Sequence, residues 1–223
     1  MSLRNHSASY HWLKIEVAIN TSRGCQGRTV KVSEKKVAEH RAALVATARK
    51  LLQERGFDGA GVADISREAG LTQGALYSRF NSKDALAAEA VSQSLAEGVA
   101  FVQELGEQTP DVLAAYLDAY VSEAHVKDAE AGCMIAACGS EMWRQNEAIG
   151  TAFAEGFRRL LETVQGAFPD GMPPKVARRR GIALLSAMVG SVAIARALKA
   201  ADPGLSEEVI AAARKELEES ALR

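Results

Sequence analysis

Apolar residues recur with a helical period along most of the chain. Leu44, Ala48, Leu51 and Leu52 fall at i, i+4, i+7 and i+8, one stripe down a first helix. Gly56 is a C-terminal stop for that helix, and Phe57 returns to the core. Ser33, with Glu34 behind it, can cap its start. Val62, Ile65 and Ala69 share one face of a very short second helix, about residues 62–69. Gly70 follows at the position where a positive φ is cheap only for glycine, and Leu71 re-enters the core. Thr72 caps a third helix, about 73–79, with Leu76 and Phe80 facing inward. Asn81 and Ser82 interrupt the chain before a longer helix that starts near Lys83 and runs to about Leu105.

The same reading predicts helices from Pro110 to about Val126, then about 134–145, 147–167 and 174–200. A last helix is capped by Ser206, with Glu207 and Glu208 in its first turn. The result is an all-α fold of about nine helices without an internal repeat. Residues 1–33 fit nothing downstream: LKIEVAI at 13–19 alternates like a short strand but has no partner, and Met1-Ser2-Leu3 reads as a vector remnant. An upstream start codon would also explain the segment. The expected division is a tail at 1–33, a three-helix unit at 34–83 and a larger helical unit at 84–223.

Composition agrees: 48% hydrophobic residues supply a core, and aromatics are scarce at 5%. Net charge is only −1, but its distribution is uneven. Residues 1–83 carry 14 Lys and Arg against 7 Asp and Glu, a net of +7; residues 84–223 carry 13 against 21, a net of −8. A basic N-terminal third on an acidic remainder suggests one module for a polyanion and another for a different task. Cys25, Cys133 and Cys138 are too few for a disulfide scaffold, which suits a reducing compartment. No uninterrupted apolar run reaches the ~18–20 residues of a membrane span, the longest being Gly181 to Ala195, and the N-terminus has no secretory pattern. A cytoplasmic location with no membrane is expected. No nucleophile elbow, phosphate loop or metal-spaced His/Cys cluster is present, so neither an enzyme, a metal nor a cofactor is expected.

Residues 62–80, VADISREAGLTQGALYSRF, have the form of a helix-turn-helix. Ser66 is small enough for two helices to cross closely, and Gly70 supplies the turn. Neither helix is stable alone, so both must pack on the first through Ile65, Leu71, Leu76 and Phe80. The outward residues suit a DNA groove. Thr72 and Gln73 stand at the N-terminus of the third helix, where base edges are reached, and Gln can pair with adenine. Gly74 and Ala75 allow close approach, Tyr77, Ser78 and Arg79 can reach phosphates, and Lys83 adds a positive contact.

At these residues the sequence resembles the TetR family of regulators. The likeness runs from LLQERGFDG through the motif to NSKDAL, about 50 residues, with Thr72, Gly74, Leu76, Tyr77 and Phe80 at the family's core positions. One departure is Gly59-Ala60-Gly61-Val62, where family members carry Thr or Ser as the cap of the second helix; Gly61 has no side-chain oxygen to offer. The resemblance implies a homodimer on a palindromic double-stranded operator, with the remaining helices forming a ligand-binding and dimerisation domain. A small-molecule effector would release it. The helix at 174–200 carries Gly181, Ala183, Ser186, Ala187, Gly190, Ala193 and Ala197 among larger apolar residues, and with the last helix it is the natural dimer element.

Tyr116, Tyr120, Met142, Trp143, Phe153 and Phe157 are the candidate pocket residues, although each also fits an ordinary core position. His125 reads as a satisfied or exposed histidine. In AGCMIAACGSEMW, Cys133 follows Gly132 at a helix start, where a thiol gains reactivity. The stretch resembles that of family members that answer to electrophiles and oxidants. Cys133 and Cys138, five apart in one helix, would diverge by about 140° and lie roughly 8 Å apart, beyond disulfide reach; two small buried hydrophobes are the alternative. The resulting expectation is a repressor released by a small apolar or electrophilic effector. The alternatives are a helical partner-binding adaptor and a DNA-binding activator.

Overall fold

The structure, a computed structural model, describes residues 34–128, 130 and 132–221. The expected cap at Ser33, the tail and Cys25 lie outside the described residues. Among the described residues ten α-helices follow in order: α1 Glu34–Gly59, α2 Val62–Glu68, α3 Gln73–Tyr77, α4 Lys83–Gln108, α5 Val112–Tyr120, α6 Glu123–Lys127, α7 Met134–Cys138, α8 Glu147–Gly166, α9 Pro174–Leu198 and α10 Pro203–Ala221. A 3-10 turn, Gly139–Arg144, joins α7 to α8, and no strand occurs among the described residues.

The all-α expectation holds, and the differences in helix count have local causes. The segment expected as one helix from Pro110 to Val126 is broken at Ser122, whose Oγ donates to the Ala119 carbonyl (2.9 Å) and accepts the His125 N–H (3.2 Å). That side chain ends α5 and caps α6 in one stroke. The helix expected over 134–145 stops at Cys138 and tightens into the 3-10 turn. Ser206 does not cap α10. It is buried, and its hydroxyl donates to the Ala195 carbonyl of α9 (2.8 Å). The cap is Asp202, whose Oδ1 accepts the Leu205 N–H at 3.0 Å, ahead of Pro203 in the first turn.

Two apolar clusters form the core. The first joins Leu44, Leu51 and Leu52 of α1 to Ile65, Leu76 and Phe80, to the first half of α4 (Leu86, Val91, Leu95), and to Met134, Cys138 and Ile149. The second holds Val102 and Leu105 of α4 with α5, α8, α9 and Ile210 of α10. α4 therefore runs through both, lying against α1 and α8. Each fully buried leucine contributes about 2 kcal/mol, and this packing holds the seven-residue α2 and five-residue α3, neither of which is stable alone.

α9 contains the apolar run from Gly181 to Ala195. An 18-residue window within the helix has a mean hydropathy of 1.8, so by length and composition it is apolar enough to cross a membrane. Its inward face, with Leu184, Leu185, Met188 and Val192, packs in the second cluster, while Ile182 and Ile194 are exposed.

Candidate nucleic-acid interface and effector cavity

Gly61 takes an extended conformation (φ −80°, ψ 150°) as the residue before α2 and makes no side-chain cap bond. The turn between α2 and α3 is closed by backbone: Gly70 N–H donates to the Arg67 carbonyl (3.1 Å) and Leu71 N–H to the Ser66 carbonyl (2.8 Å). The pattern requires Gly70 at φ 67°. Ser66 is buried where the helices cross. Thr72 caps α3, its Oγ1 accepting the Ala75 N–H at 3.1 Å, which leaves its hydroxyl hydrogen free to donate outward. Leu76 and Phe80 are buried; Thr72, Gln73, Gly74, Tyr77 and Ser78 are exposed, and Ala75 and Arg79 are half-buried. The eight expected contact residues thus do not all stand free. Ser78 Oγ donates to the Ala75 carbonyl (2.7 Å) and accepts from Arg79 Nη1 (2.9 Å). Lys83 donates its ammonium to the Phe57 carbonyl at 2.6 Å, bonding the first turn of α4 to the end of α1. Arg41, which the motif does not flag, holds this corner: its guanidinium lies 4.3 Å from the Phe80 ring, donates to the Arg79 carbonyl (2.9 Å) and pairs with Glu89.

A narrow cavity lies deeper, with about 50 Å³ of free volume. Its walls come from α1 (Arg49), α4 (Glu97, Phe101), α5 (Tyr116, Tyr120) and the segment from Gly132 to Met134. Three aromatics form a ladder, with ring centroids 6.1 Å apart for Phe101 and Tyr116 and 5.8 Å for Tyr116 and Tyr120. The His125 ring meets Tyr120 edge-on at 4.4 Å. Burial raises the pKa of both phenols well above the usual value, so they remain protonated donors. His125 Nδ1–H donates to the Tyr120 carbonyl (2.7 Å), while Nε2 accepts the Cys133 N–H (3.0 Å). That arrangement fixes one neutral tautomer, and burial pushes the imidazole pKa down to about 4. His125 is thus buried and satisfied.

The expected pocket residues are divided. Tyr116 and Tyr120 line the cavity; Met142, Trp143, Phe153 and Phe157 do not. Because the chain is in a 3-10 turn there, Met142 turns into the first core cluster and Trp143 turns out, 79% exposed. Phe153 and Phe157 stack on each other along α8, centroids 6.1 Å apart. The two cysteines also part. Cys133 precedes α7 rather than lying in it and lines the cavity. Cys138 is wholly buried and donates its thiol hydrogen to the Leu52 carbonyl (3.0 Å), and burial pushes its pKa up to about 12. α7 has only five residues, too few to build much of the helix dipole invoked for Cys133.

Residues 44–90 match the family model described as bacterial regulatory proteins, tetR family, and residues 110–204 match the C-terminal domain of LmrA/YxaF-like transcriptional regulators. An HTH-type transcriptional regulator of Mycobacterium tuberculosis is 30% identical over 163 residues, 70% of this chain and 84% of the relative. The chain belongs to the TetR family of transcriptional regulators. Solved structures agree on the fold. A TetR regulator from Legionella pneumophila has a TM-score of 0.69 at 16% identity, covering 84% of this chain and 97% of that one. NemR of E. coli in its reduced form has 0.68 at 20% identity, covering 81% and 97%.

Within this TetR-family chain, the motif residues were accessible to sequence reasoning because they lie within 19 consecutive positions, 62–80. Arg49, Glu97, Phe101 and Gln53 were missed. Gln53 carries a weak signal: an amide directly after Leu51 and Leu52 on the buried side of α1.

Proposed function

We propose that this TetR-family regulator is a homodimeric repressor whose operator affinity falls when a small apolar or electrophilic molecule enters the cavity. It acts in the cytoplasm and without catalysis. The observation that carries this reading is the shared wall: the segment from Gly132 to Met134 lines the cavity, and Gln53 of α1 donates to the Gly132 carbonyl. A ligand that prefers a displaced wall also prefers a displaced head, and so shifts the population away from the DNA-binding arrangement.

In this reading residues 34–83 are the DNA-binding head and the remainder is the sensing and dimerisation unit. Gln73, near the start of α3, reads a base edge, with Thr72, Gly74 and Ala75 against the groove. Tyr77, Ser78 and Arg79 meet phosphates. The partner protomer covers the outward faces of α9 and α10, where Ile182, Ile194 and Leu205 are exposed beside Ala183, Ser186 and Ala197. Two heads can then reach successive major grooves about 34–36 Å apart. An electrophilic effector would act at Cys133.

The test is an anisotropy titration with DNA from upstream of the protein's own gene, at two salt concentrations, with competitor DNA. Selective binding by two protomers, weakening steeply with salt, is the expected result. Tyr77→Phe weakens binding to all sequences alike, and Gln73→Ala changes the preference among them. Lys83→Ala weakens binding and also lowers the melting temperature, because Phe57 loses its partner. Equal loss on every sequence for Gln73→Ala removes its base-reading role. Affinity that no apolar or electrophilic compound alters removes the effector reading.

A further inference from the structure

Two residues that line the cavity carry buried donors that are weakly satisfied or not satisfied. The Nε–H of Arg49 is buried without a hydrogen-bond partner, and the buried Tyr120 hydroxyl has only the Cys133 side chain for one; both residues line the same space. A thiol is a poor acceptor, so a carboxylate oxygen outcompetes Cys133 for the Tyr120 hydroxyl. The Arg196 guanidinium, close enough to act on Tyr120 and Cys133, carries two more buried N–H groups without partners. A buried donor left unmade costs about 1–3 kcal/mol, more when charged. The other walls, among them Leu95, Phe101 and Leu160, are apolar.

We propose that this cavity takes a small apolar monocarboxylate. Its chain or ring lies against Phe101, Tyr116 and Leu160, and its carboxylate accepts from Tyr120 and Arg49 in competition with Glu97. The inference rests on the effector reading above and names the class of effector. Arg49 can only donate, so the ligand must supply an acceptor. A neutral carbonyl presents one oxygen, whereas a carboxylate presents two and gains a charge-assisted bond. Glu97 already pairs with Arg49 through Oε2, while its Oε1 accepts from Gln93 Nε2 at 3.1 Å. On release, Glu97 therefore keeps a partner on its own helix.

The free volume of about 50 Å³ accommodates the carboxylate head but not a whole ring. The rest of the ligand must displace a wall. The two walls that are bonded to the head, Arg49 on α1 and the segment at Gly132, are the ones whose displacement would be transmitted to DNA. Opening a longer cavity there separates the Arg49–Glu97 pair, one of two ion pairs between α1 and α4.

The test uses the full chain at pH 7.5 with benzoate, cyclohexanecarboxylate and hexanoate, each beside its amide. Calorimetry reads binding, and anisotropy reads DNA release. At least one acid is expected to bind and to weaken DNA binding, with its amide weaker by about tenfold or more. Tyr120→Phe keeps the ring and is expected to weaken that acid by about tenfold with an unchanged far-ultraviolet spectrum. Glu97→Gln, which removes the competing charge, is expected to tighten it severalfold. Three results overturn the proposal: no acid binds in the millimolar range, acid and amide bind alike, or both variants bind as the parent does. The broader reading fails separately. If the acids fail while another apolar or electrophilic compound releases DNA, the effector reading stands; if an acid binds and DNA affinity never changes, the cavity chemistry stands and the effector reading falls.

Discussion

The side-chain amide of Gln53, buried on α1, donates to the backbone carbonyl of Gly132, 79 positions further along the chain. Two more bonds lie beside it. The Cys138 thiol donates to the Leu52 carbonyl (3.0 Å), and Phe57 N–H donates to Glu141 Oε2 (2.9 Å). The last turns of α1 are thus bonded at three points to the segment from Gly132 to Glu141, whose first residues wall the cavity. Gly132 has no room for a side chain: a Cβ there would collide with Arg196 Nη2 and lie 2.7 Å from the Asp128 carbonyl oxygen.

Gln53→Leu keeps the buried volume and removes the bond to Gly132. The loss is expected at about 1–2 kcal/mol, a fall of a few degrees in melting temperature. DNA affinity should persist, and on the effector reading proposed above the response to a cavity ligand should shrink. Gly132→Ala should cost more, because one obstacle, the Asp128 oxygen, is backbone. Thermal melts and anisotropy with and without effector check both. A Gln53→Leu protein that melts and responds like the parent would show that this bond carries no coupling.

Gly70 isolates the cost of backbone conformation. Its φ is 67°, and no atom outside its neighbours lies within 4 Å of a Cβ built there. Gly70→Ala therefore adds no clash, only a left-handed alanine, and should cost about 1–2 kcal/mol. Gly70→Asn, which tolerates that region, should cost clearly less. Chemical denaturation of the two variants distinguishes the cases; equal losses would mean that something other than φ sets the requirement.

The head was legible because its determinants are local. Gly70, the Thr72 cap and the inward Leu76 and Phe80 lie close together in sequence, and each acts through its own turn or helix. The missing cap oxygen at Gly61 was equally plain, and the turn forms without it. The cavity was not legible because its polar wall is built across distance. Arg49 and Glu97 are 48 positions apart, and each alone resembles a charged residue on a solvated helix face. Trp143 misled for the opposite reason: size suggested burial, but a 3-10 turn with its own spacing put Met142 inside and Trp143 outside. Ser122 and Ser206 show the same limit. One serine divides a helix by bonding locally, the other ties α10 to α9, and the residue type does not tell which.

His125 makes stability depend on pH in a defined window. Unfolded, an imidazole titrates near 6.5; folded, His125 titrates near 4, because burial disfavours its charge. Between those values the unfolded chain binds the extra proton, so stability falls as the pH drops below about 6.5 and levels off below about 4. From pH 7 to pH 5 the loss is about 2 kcal/mol, or roughly 4–8 °C in melting temperature. His125→Gln should be less stable at pH 7 but should lose most of this slope. A variant curve parallel to the parent's would assign the slope to other groups.

The two described cysteines should react differently, for reasons of burial and bonding. Cys138 is inaccessible, donates its hydrogen to Leu52, and has a pKa pushed up to about 12. At pH 7.5 less than about one molecule in ten thousand holds it as thiolate, the form that attacks an electrophile. Cys133 is half-buried on the cavity wall. In a Cys25→Ser background, N-ethylmaleimide should therefore label Cys133 in the folded protein and Cys138 only after denaturation, as peptide mass mapping would read. The adduct adds bulk to a cavity of about 50 Å³, so it must push on the walls that bond to α1. Labelled protein should bind operator DNA more weakly, and Cys133→Ser should abolish that response without altering untreated affinity. Labelling of Cys138 as fast as Cys133 would contradict the burial argument. Labelling of Cys133 with full DNA binding retained would instead leave the cavity uncoupled from the head.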